Sequence, residues 1–378
     1  MFHLRLARNY RAADLARLLP AAAVAAVTAA LLLRALGRAL GEPAAASVPR
    51  LLWCLPALAA LGWLCAATSR AVPARHPERI AGLTAAGFGP RRIRLLLAVE
   101  TAATTALGSL LALLVFLILR NDVAGPRLAS DIGMGIPLPA AAPVTLLALV
   151  PLAAGCAAAA AVRLPEALPG QDTDPPARAF HTVRIAVPVG FVLVGTALEL
   201  YGLRPGAEQD GRPVLLPAHL GPVGTAALTG WAITALGLLL LTAPLMGLAG
   251  RLLAVHRPGT VRLLAGRSLA AEARRLGGTP AVVSLAVAVL AAALAEGHGP
   301  GLPAVAGAVL VGGCAAGAAA ARTAEIRASR LPGTEALVRL GAAPGILRRA
   351  AAMRVAAACA VLLCTGALTA LLGVAALA

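Results

Sequence analysis

The chain has 378 residues, of which 60% are hydrophobic and 13% charged, with a formal net charge of +17. Soluble domains are usually about 45–50% apolar and about 25% charged, so this composition excludes an ordinary water-soluble fold and any disordered or collagen-like class. All 33 basic residues are arginines, and the absence of lysine excludes a Walker A site and a lysine Schiff base on this chain.

Nine apolar segments are candidates for membrane-spanning helices, which need roughly 20 apolar residues each. In chain order they cover residues 18–33, 51–68, 95–119, 143–162, 185–201, 223–250, 280–295, 302–321 and 350–376. The first segment continues helically to Leu40, which favours an uncleaved span over a signal peptide. The sequence therefore predicts an all-α integral membrane protein with nine or ten transmembrane helices.

The arginines are distributed unevenly between the two sides of the predicted spans. With the N-terminus in the cytoplasm, the inner segments carry 25 arginines and the outer segments carry 7. Because membrane proteins keep positive loops in the cytoplasm, this asymmetry predicts a multi-pass plasma membrane protein with a cytoplasmic N-terminus. The net positive charge is then explained by the arginine-rich cytoplasmic loops of a protein embedded in the lipid bilayer, and no nucleic-acid partner is expected.

The residue types that carry chemistry show no catalytic or metal-binding pattern. The six cysteines lie within apolar runs without a CxxC pair, and the six histidines are scattered among loops without ligand spacing. No nucleophile motif such as G-x-S-x-G is present. The sequence predicts no metal site and no enzymatic activity on this chain.

Two predicted inner loops share a pattern in which leucine, glycine and proline recur 254 residues apart. The matching residues are Leu83, Gly87 and Pro90 in the first loop, and Leu337, Gly341 and Pro344 in the second. A second echo, 258 residues apart, relates residues 9–18 to residues 267–276. Since six spans separate the copies, they point the same way and predict two modules in a parallel repeat.

Each of these loops is predicted to form a short helix, a break at glycine, and a long helix that begins at proline. Glycine accepts the positive φ that ends a helix, and proline suits the first turn of the next one. The short helix would lie roughly parallel to the membrane and display arginines to the cytoplasm. Such an element can press on a soluble partner and carry its motion into the span that follows.

The segment from Glu78 to Ile93, followed by Glu100, resembles the coupling-helix motif of FtsX-like, MacB-type ABC transporter permeases. The segment 335–349 is similar to the same motif in a looser form. The resemblance implies a permease subunit that binds no cofactor itself, with ATP on a separate ABC ATP-binding subunit and a second permease as partner. The residues it assigns to contact with the ATP-binding subunit are Glu78, Arg79, Leu83, Gly87, Pro90, Arg91 and Arg92, and Glu335, Leu337, Arg339, Gly341, Pro344, Arg348 and Arg349.

The resemblance also implies a division of the chain into an N-terminal four-span module (1–162), a linker with two connecting spans (163–250) and a C-terminal three-span module (251–378). The chain departs from the long form of the family because it lacks a tenth span and large external domains. In addition, Arg354 occupies the position equivalent to Glu100. The two modules are therefore expected to contact their partner unequally.

Three ionisable residues, Glu100, Arg354 and Glu199, lie inside predicted spans but near their ends. An intramembrane charge is a functional hypothesis by default, whereas a charge close to the interface can also serve the structure alone. No ionisable residue lies at the middle of a predicted span, which argues against a proton-coupled carrier.

The expected function is ATP-driven export or extraction of an amphipathic or hydrophobic substrate. The alternative is a non-transporting signal transmitter that relays motion of the ATPase to an external partner. The short outer loops count against the alternative, because an external partner needs a docking surface.

Overall fold

The computed structural model describes residues 12–40, 51, 54–120, 141–162, 179–204, 214–215, 222–223, 225–255, 259–276, 282, 302–341 and 343–377. These residues form ten helices and two short strands. The helices are α1 (Ala12–Leu40), α2 (Leu55–Arg75), α3 (Pro77–Ala85), α4 (Pro90–Ile118), α5 (Ala141–Ala161), α6 (Ala179–Gly202), α7 (Thr225–Ala254), α8 (Thr260–Leu276), α9 (Leu302–Arg339) and α10 (Pro344–Leu377).

Eight of these helices are long and apolar enough to cross a membrane. They coincide with eight of the nine predicted spans, so the prediction of an all-helical, multi-pass membrane protein is confirmed. The remaining predicted span, 280–295, lies outside the described residues apart from Val282. Several helices also extend beyond their apolar segments: α4 begins at Pro90 and α9 continues to Arg339.

The chain divides into two compact units, residues 1–167 and 168–378. In the first unit, α1 packs against α4 and α5, and α5 also packs against α2 and α4. The core of this unit is small-residue rich and consists of Ala21, Ala25, Ala29, Leu32, Leu33, Leu61, Cys65, Ala112, Phe116, Leu147, Val150 and Ala154. The alanines recur every four residues along α1, which places them in one row on a single face of the helix.

The backbones of α1 and α4 also approach closely, at Gly108 of α4. A Cβ atom on Gly108 of α4 would lie 3.0 Å from the carbonyl carbon of Ala22 on α1, which is tighter than most Cβ contacts in proteins. Close backbone contact of this kind is how membrane helices gain van der Waals energy, because burial from lipid supplies little hydrophobic driving force.

In the second unit, α7 packs against α6, α8 and α10. Glycines line its contact with α6, since a Cβ on Gly195 would lie 2.5 Å from the amide nitrogen of Thr234. On another face of α7, the indole N–H of Trp231 donates a hydrogen bond of 3.3 Å to the carbonyl of Thr369 on α10. The connecting helices α6 and α7 thus pack within the second unit, while their assignment to a separate linker region stays a prediction.

A short antiparallel strand pair, which the sequence analysis does not predict, lies between α6 and α7. Strand β1 (Val214–Leu215) pairs with β2 (Pro222–Val223), with Val214 opposite Val223. Pro222 lacks an amide hydrogen and is tolerated at the edge of so short a ladder.

The glycines of α6 provide a test of this packing. We expect Gly195→Ala to lower the free energy of unfolding by about 1–3 kcal/mol, because its methyl group would overlap the backbone of α7. The matched control is Gly190→Ala on the same helix, where a Cβ would meet nothing within 4 Å. The control should be neutral or stabilising by up to about 1 kcal/mol, since alanine is the better helix former. Thermal unfolding in detergent measures both, and equal effects would contradict the packing described.

Candidate functional site: two helix junctions

The first junction joins α3 to α4 through a tight glycine turn. The amide of Gly87 donates to the carbonyl of Thr84, and that of Phe88 donates to the carbonyl of Leu83, both at 3.0 Å. This pair of bonds is the Schellman arrangement, which needs a left-handed residue after the helix. Gly87 has a φ of 81° and supplies that conformation, so the predicted break at Gly87 is confirmed.

The start of α4 also follows the prediction. Gly89 precedes the helix in an extended conformation with φ −70° and ψ 164°, and Pro90 occupies the first turn. The amide of Ile93 donates to the carbonyl of Gly89 at 3.1 Å. Proline loses nothing at this position, because the first amides of a helix have no partner within the helix.

The side chain of Leu83 packs α3 against the other helices of the first unit. It is 7% exposed and lies in a cluster with Val72 of α2, Ile93 and Leu97 of α4, and Val162 after α5. Leu83 therefore faces the unit's own core. Of the residues assigned to contact with an ATP-binding subunit, those that face outward at this junction are Glu78, Gly87, Pro90, Arg91 and Arg92.

An ion pair forms a second connection between α3 and α4. The Nη2 atom of Arg79 lies 3.1 Å from the Oε2 atom of Glu100, and the glutamate side chain is only 9% exposed. Both residues were singled out from the sequence, but their pairing was not predicted. Loss of Arg79 would leave the largely buried carboxylate of Glu100 without this partner, which is costly because a buried charge is poorly solvated.

The second junction differs from the prediction of a separate short helix before Gly341, which is wrong. Helix α9 runs without a break from Leu302 to Arg339, so Glu335 and Arg339 belong to its final turns. In the first unit, by contrast, the chain leaves the helical conformation at His76, between α2 and α3. His76 has φ −130° and ψ 61° and precedes Pro77. Residues before proline disfavour the helical conformation, yet the residues that precede Pro332 in α9 remain helical.

The turn of the second junction nevertheless forms as predicted. Gly341 has a φ of 90°, its amide donates to the carbonyl of Val338 at 3.0 Å, and α10 begins at Pro344. Leu340 beside the turn is 84% exposed, in contrast to the buried Leu83. The outward-facing assigned residues here are Glu335, Arg339, Gly341, Pro344, Arg348 and Arg349, and the side chain of Leu337 lies outside the described residues.

Near the second junction, Glu272 of α8 lies between two arginines. Its Oε1 atom pairs with Arg330 of α9, and its Oε2 atom lies 3.9 Å from Nη1 of Arg354 on α10. Arg354 is thus ion-paired, as is Glu100, which the predicted repeat places at the matching position with the opposite charge. Neither Glu272 nor Arg330 is assigned a role from the sequence, although Glu272 follows Ala265 and Leu269 at the spacing of one helical face.

Glu199 of α6 occupies a different environment from the other two intramembrane charges. It is 1% exposed, and neither carboxylate oxygen has a hydrogen-bond partner among the described residues. Its backbone lies against Gly230 of α7, where a Cβ would come within 2.7 Å of the Cα atom of Glu199. The glycine contact therefore holds the residue against α7.

Among the described residues, no three histidine, cysteine, aspartate or glutamate side chains lie together in a way that could hold a metal ion. Comparison with protein families, with curated proteins and with solved structures finds no match. The fold therefore defines the class: this is a multi-pass α-helical membrane protein.

A double-mutant cycle tests the ion pair at the first junction. We expect Arg79→Gln and Glu100→Gln to show a coupling of about 0.5–3 kcal/mol in the free energy of unfolding, because the pair is partly buried and the residues touch. The control pair is Arg322 and Glu325, which lie 3.2 Å apart on the same helix, α9. Their side chains are 18% and 25% exposed, so neither is as buried as Glu100. Pairs of this i,i+3 kind contribute about 0.2–0.5 kcal/mol. Additive effects at Arg79 and Glu100 would show that the pair does not join α3 to α4.

Proposed function

We propose that this chain is the permease subunit of an ABC transporter, driven by a separate ATP-binding subunit that docks on the helix junctions. The observation that carries the proposal is the attachment of α3 to α4. A short helix outside the candidate spans is joined to a long apolar helix by a glycine turn, by the Leu83 cluster and by the Arg79–Glu100 pair.

These three connections suit transmission of a mechanical push. Displacement of α3 cannot be absorbed by a loose linker, because the turn through Gly87 spans few residues and its amides are hydrogen-bonded. The motion would pass to α4, which is 29 residues and about 43 Å long and packs against α1 and α5. A tilt of α4 would therefore rearrange the core of the first unit.

The outward-facing residues of the first junction indicate the chemistry of the partner surface. Arg91 and Arg92 are exposed beside the turn, and Glu78 is exposed at the start of α3. A complementary surface would carry carboxylates opposite the arginines, because charge complementarity directs docking and register. The nucleotide chemistry belongs to the partner, since this chain has no lysine for a Walker A motif.

The proposed cargo is an amphipathic or hydrophobic compound that is exported or extracted from the membrane. Helix α10 exposes large apolar side chains along its length, including Leu363 at 72% and Leu371 at 69%. Such a surface suits contact with lipid, with lipid-like cargo or with a second permease. A transmitter that moves no cargo remains the second reading of the same junctions.

The glycines of the first junction provide the central test. We expect Gly87→Ala to reduce the amount of ABC ATP-binding subunit that co-purifies with the chain about tenfold or more, because alanine at a φ of 81° is strained and reshapes the turn. Gly89→Ala is the matched control, since this residue is extended and a Cβ there meets nothing within 4 Å. Mass spectrometry identifies the co-purified protein by its Walker A and ABC signature sequences.

Three outcomes are decisive for that experiment. Loss of the ATP-binding subunit in Gly87→Ala but not in Gly89→Ala supports docking at the junction. Absence of any such subunit from the wild-type preparation overturns the proposal. If the subunit binds but reconstituted complex moves no lipid-like compound and shows no change in ATPase rate on its addition, the transmitter is the better description.

The proposed cytoplasmic orientation of the N-terminus makes a separate prediction. In a chain whose native cysteines are replaced, Gly89→Cys should resist a membrane-impermeant maleimide added to intact cells, and Leu203→Cys at the end of α6 should react. Both positions are exposed, so access of the reagent depends on the side of the membrane. The opposite labelling pattern would reverse the topology.

A further inference from the structure

A cluster of charged residues where α8, α9 and α10 meet contains more positive than negative charge. Glu272 uses both carboxylate oxygens, one toward Arg330 and the other toward Arg354 at 3.9 Å. One carboxylate therefore faces two guanidinium groups. The carboxylate is 9% exposed, whereas the side chains of Arg330 and Arg354 are 27% and 21% exposed, so the two arginines reach the surface.

A third arginine adds to this imbalance. Arg327 lies one turn before Arg330 on α9, is exposed, and is close enough to Arg354 for their positive charges to repel. No carboxylate of the described residues lies within ion-pair distance of Arg327. By contrast, Arg322 on the same helix is neutralised by Glu325 at 3.2 Å. The three arginines and Glu272 therefore leave two positive charges without a counterpart in the described part of the chain.

The cluster lies at the level where the span within α9 ends, at Ala328 between Arg327 and Arg330. Arg354 falls within the candidate span of α10, but it meets Glu272 of α8, a helix that is not among the candidate spans. Arginines at this depth extend their side chains toward the headgroup layer of the membrane. The anion that is abundant at the same depth is the phosphate group of a phospholipid.

We propose that Arg327, Arg330 and Arg354 form a binding site for the phosphate groups of an acidic phospholipid, with Glu272 holding two of the guanidinium groups in position. Guanidinium groups bind phosphate through paired hydrogen bonds, and basic pockets between membrane helices recognise anionic headgroups. Two unmatched positive charges favour a lipid with two phosphates, such as cardiolipin, over one with a single phosphate. The site is separate from the outward-facing residues to which docking of the ATP-binding subunit is assigned.

Lipid retention measured by native mass spectrometry tests the site. The full chain would be released from nanodiscs of phosphatidylcholine that contain a minor fraction of cardiolipin or of phosphatidylglycerol. We expect wild-type protein to retain cardiolipin in preference to phosphatidylglycerol, and Arg327→Gln to bind it about fivefold more weakly. Since Arg327 is exposed and makes no ion pair with a described residue, this variant should fold normally. The double variant Arg327→Gln/Arg330→Gln should bind more weakly still.

The matched control removes two arginines from the same region without touching the cluster. Arg262 and Arg267 are exposed on α8, the helix that carries Glu272, so Arg262→Gln/Arg267→Gln makes an equal change in net charge. Retention of cardiolipin by this control and its loss from the cluster variants supports the site. Equal retention by all variants, or equal loss from the control, overturns it.

Two further arms identify the source of the anion. If inorganic phosphate at millimolar concentration displaces cardiolipin, the site recognises free phosphate and its assignment to a lipid is wrong. If the cluster variants keep cardiolipin but lose the ATP-binding subunit, the arginines contact a protein partner and the lipid proposal fails. Loss of cardiolipin with the ATP-binding subunit still bound supports the lipid site independently of the proposed transport function.

Discussion

Helices in a bilayer are held together by close van der Waals contact, because moving an apolar side chain from lipid into the protein gives no hydrophobic driving force. Lipid also offers no hydrogen bonds to the backbone, so each spanning segment must form its own. The need for close contact explains why alanine and glycine line the helix contacts in both units. Ala21, Ala25 and Ala29 form one row on α1, and Gly195 lets α6 approach the backbone of α7 at Thr234. Large apolar side chains such as Leu363 instead remain outside, where lipid or another membrane protein can cover them.

Near the ends of the spans, ion pairs also connect specific helices to one another. Glu100 and Arg354 lie at matching positions of the predicted repeat, and each is paired with a residue of opposite charge on another helix. In the first unit the partner is Arg79 on the short helix α3, so the pair ties α3 to α4. In the second unit the partner is Glu272 on α8, so the pair ties α10 to an amphipathic helix. At these two positions of the predicted repeat, a charge is present in both cases, but its sign and its partner differ.

Local signals in the sequence predicted the turns well and the helices around them less well. Gly87 and Gly341 adopt positive φ values, and Pro90 and Pro344 begin the following helices, because these conformations are preferences of single residues. These local preferences do not determine whether the helix before the turn is a separate short helix or the end of a long one. The first unit breaks at His76 and docks α3 through Leu83, whereas α9 continues to Arg339 and exposes Leu340. That difference depends on contacts with other helices, which a local motif does not contain.

The sequence by itself determined that the chain is an all-helical membrane protein, where eight of its spans run and where its two junctions turn. These properties follow from hydropathy over about 20 residues and from the backbone preferences of glycine and proline. Only the tertiary structure decided which charges meet: Arg79 with Glu100, and Glu272 with Arg330 and Arg354. Those partners lie on different helices, and the register between helices is set by how their small residues pack. A list of charged residues therefore predicts their depth in the membrane but not their partners.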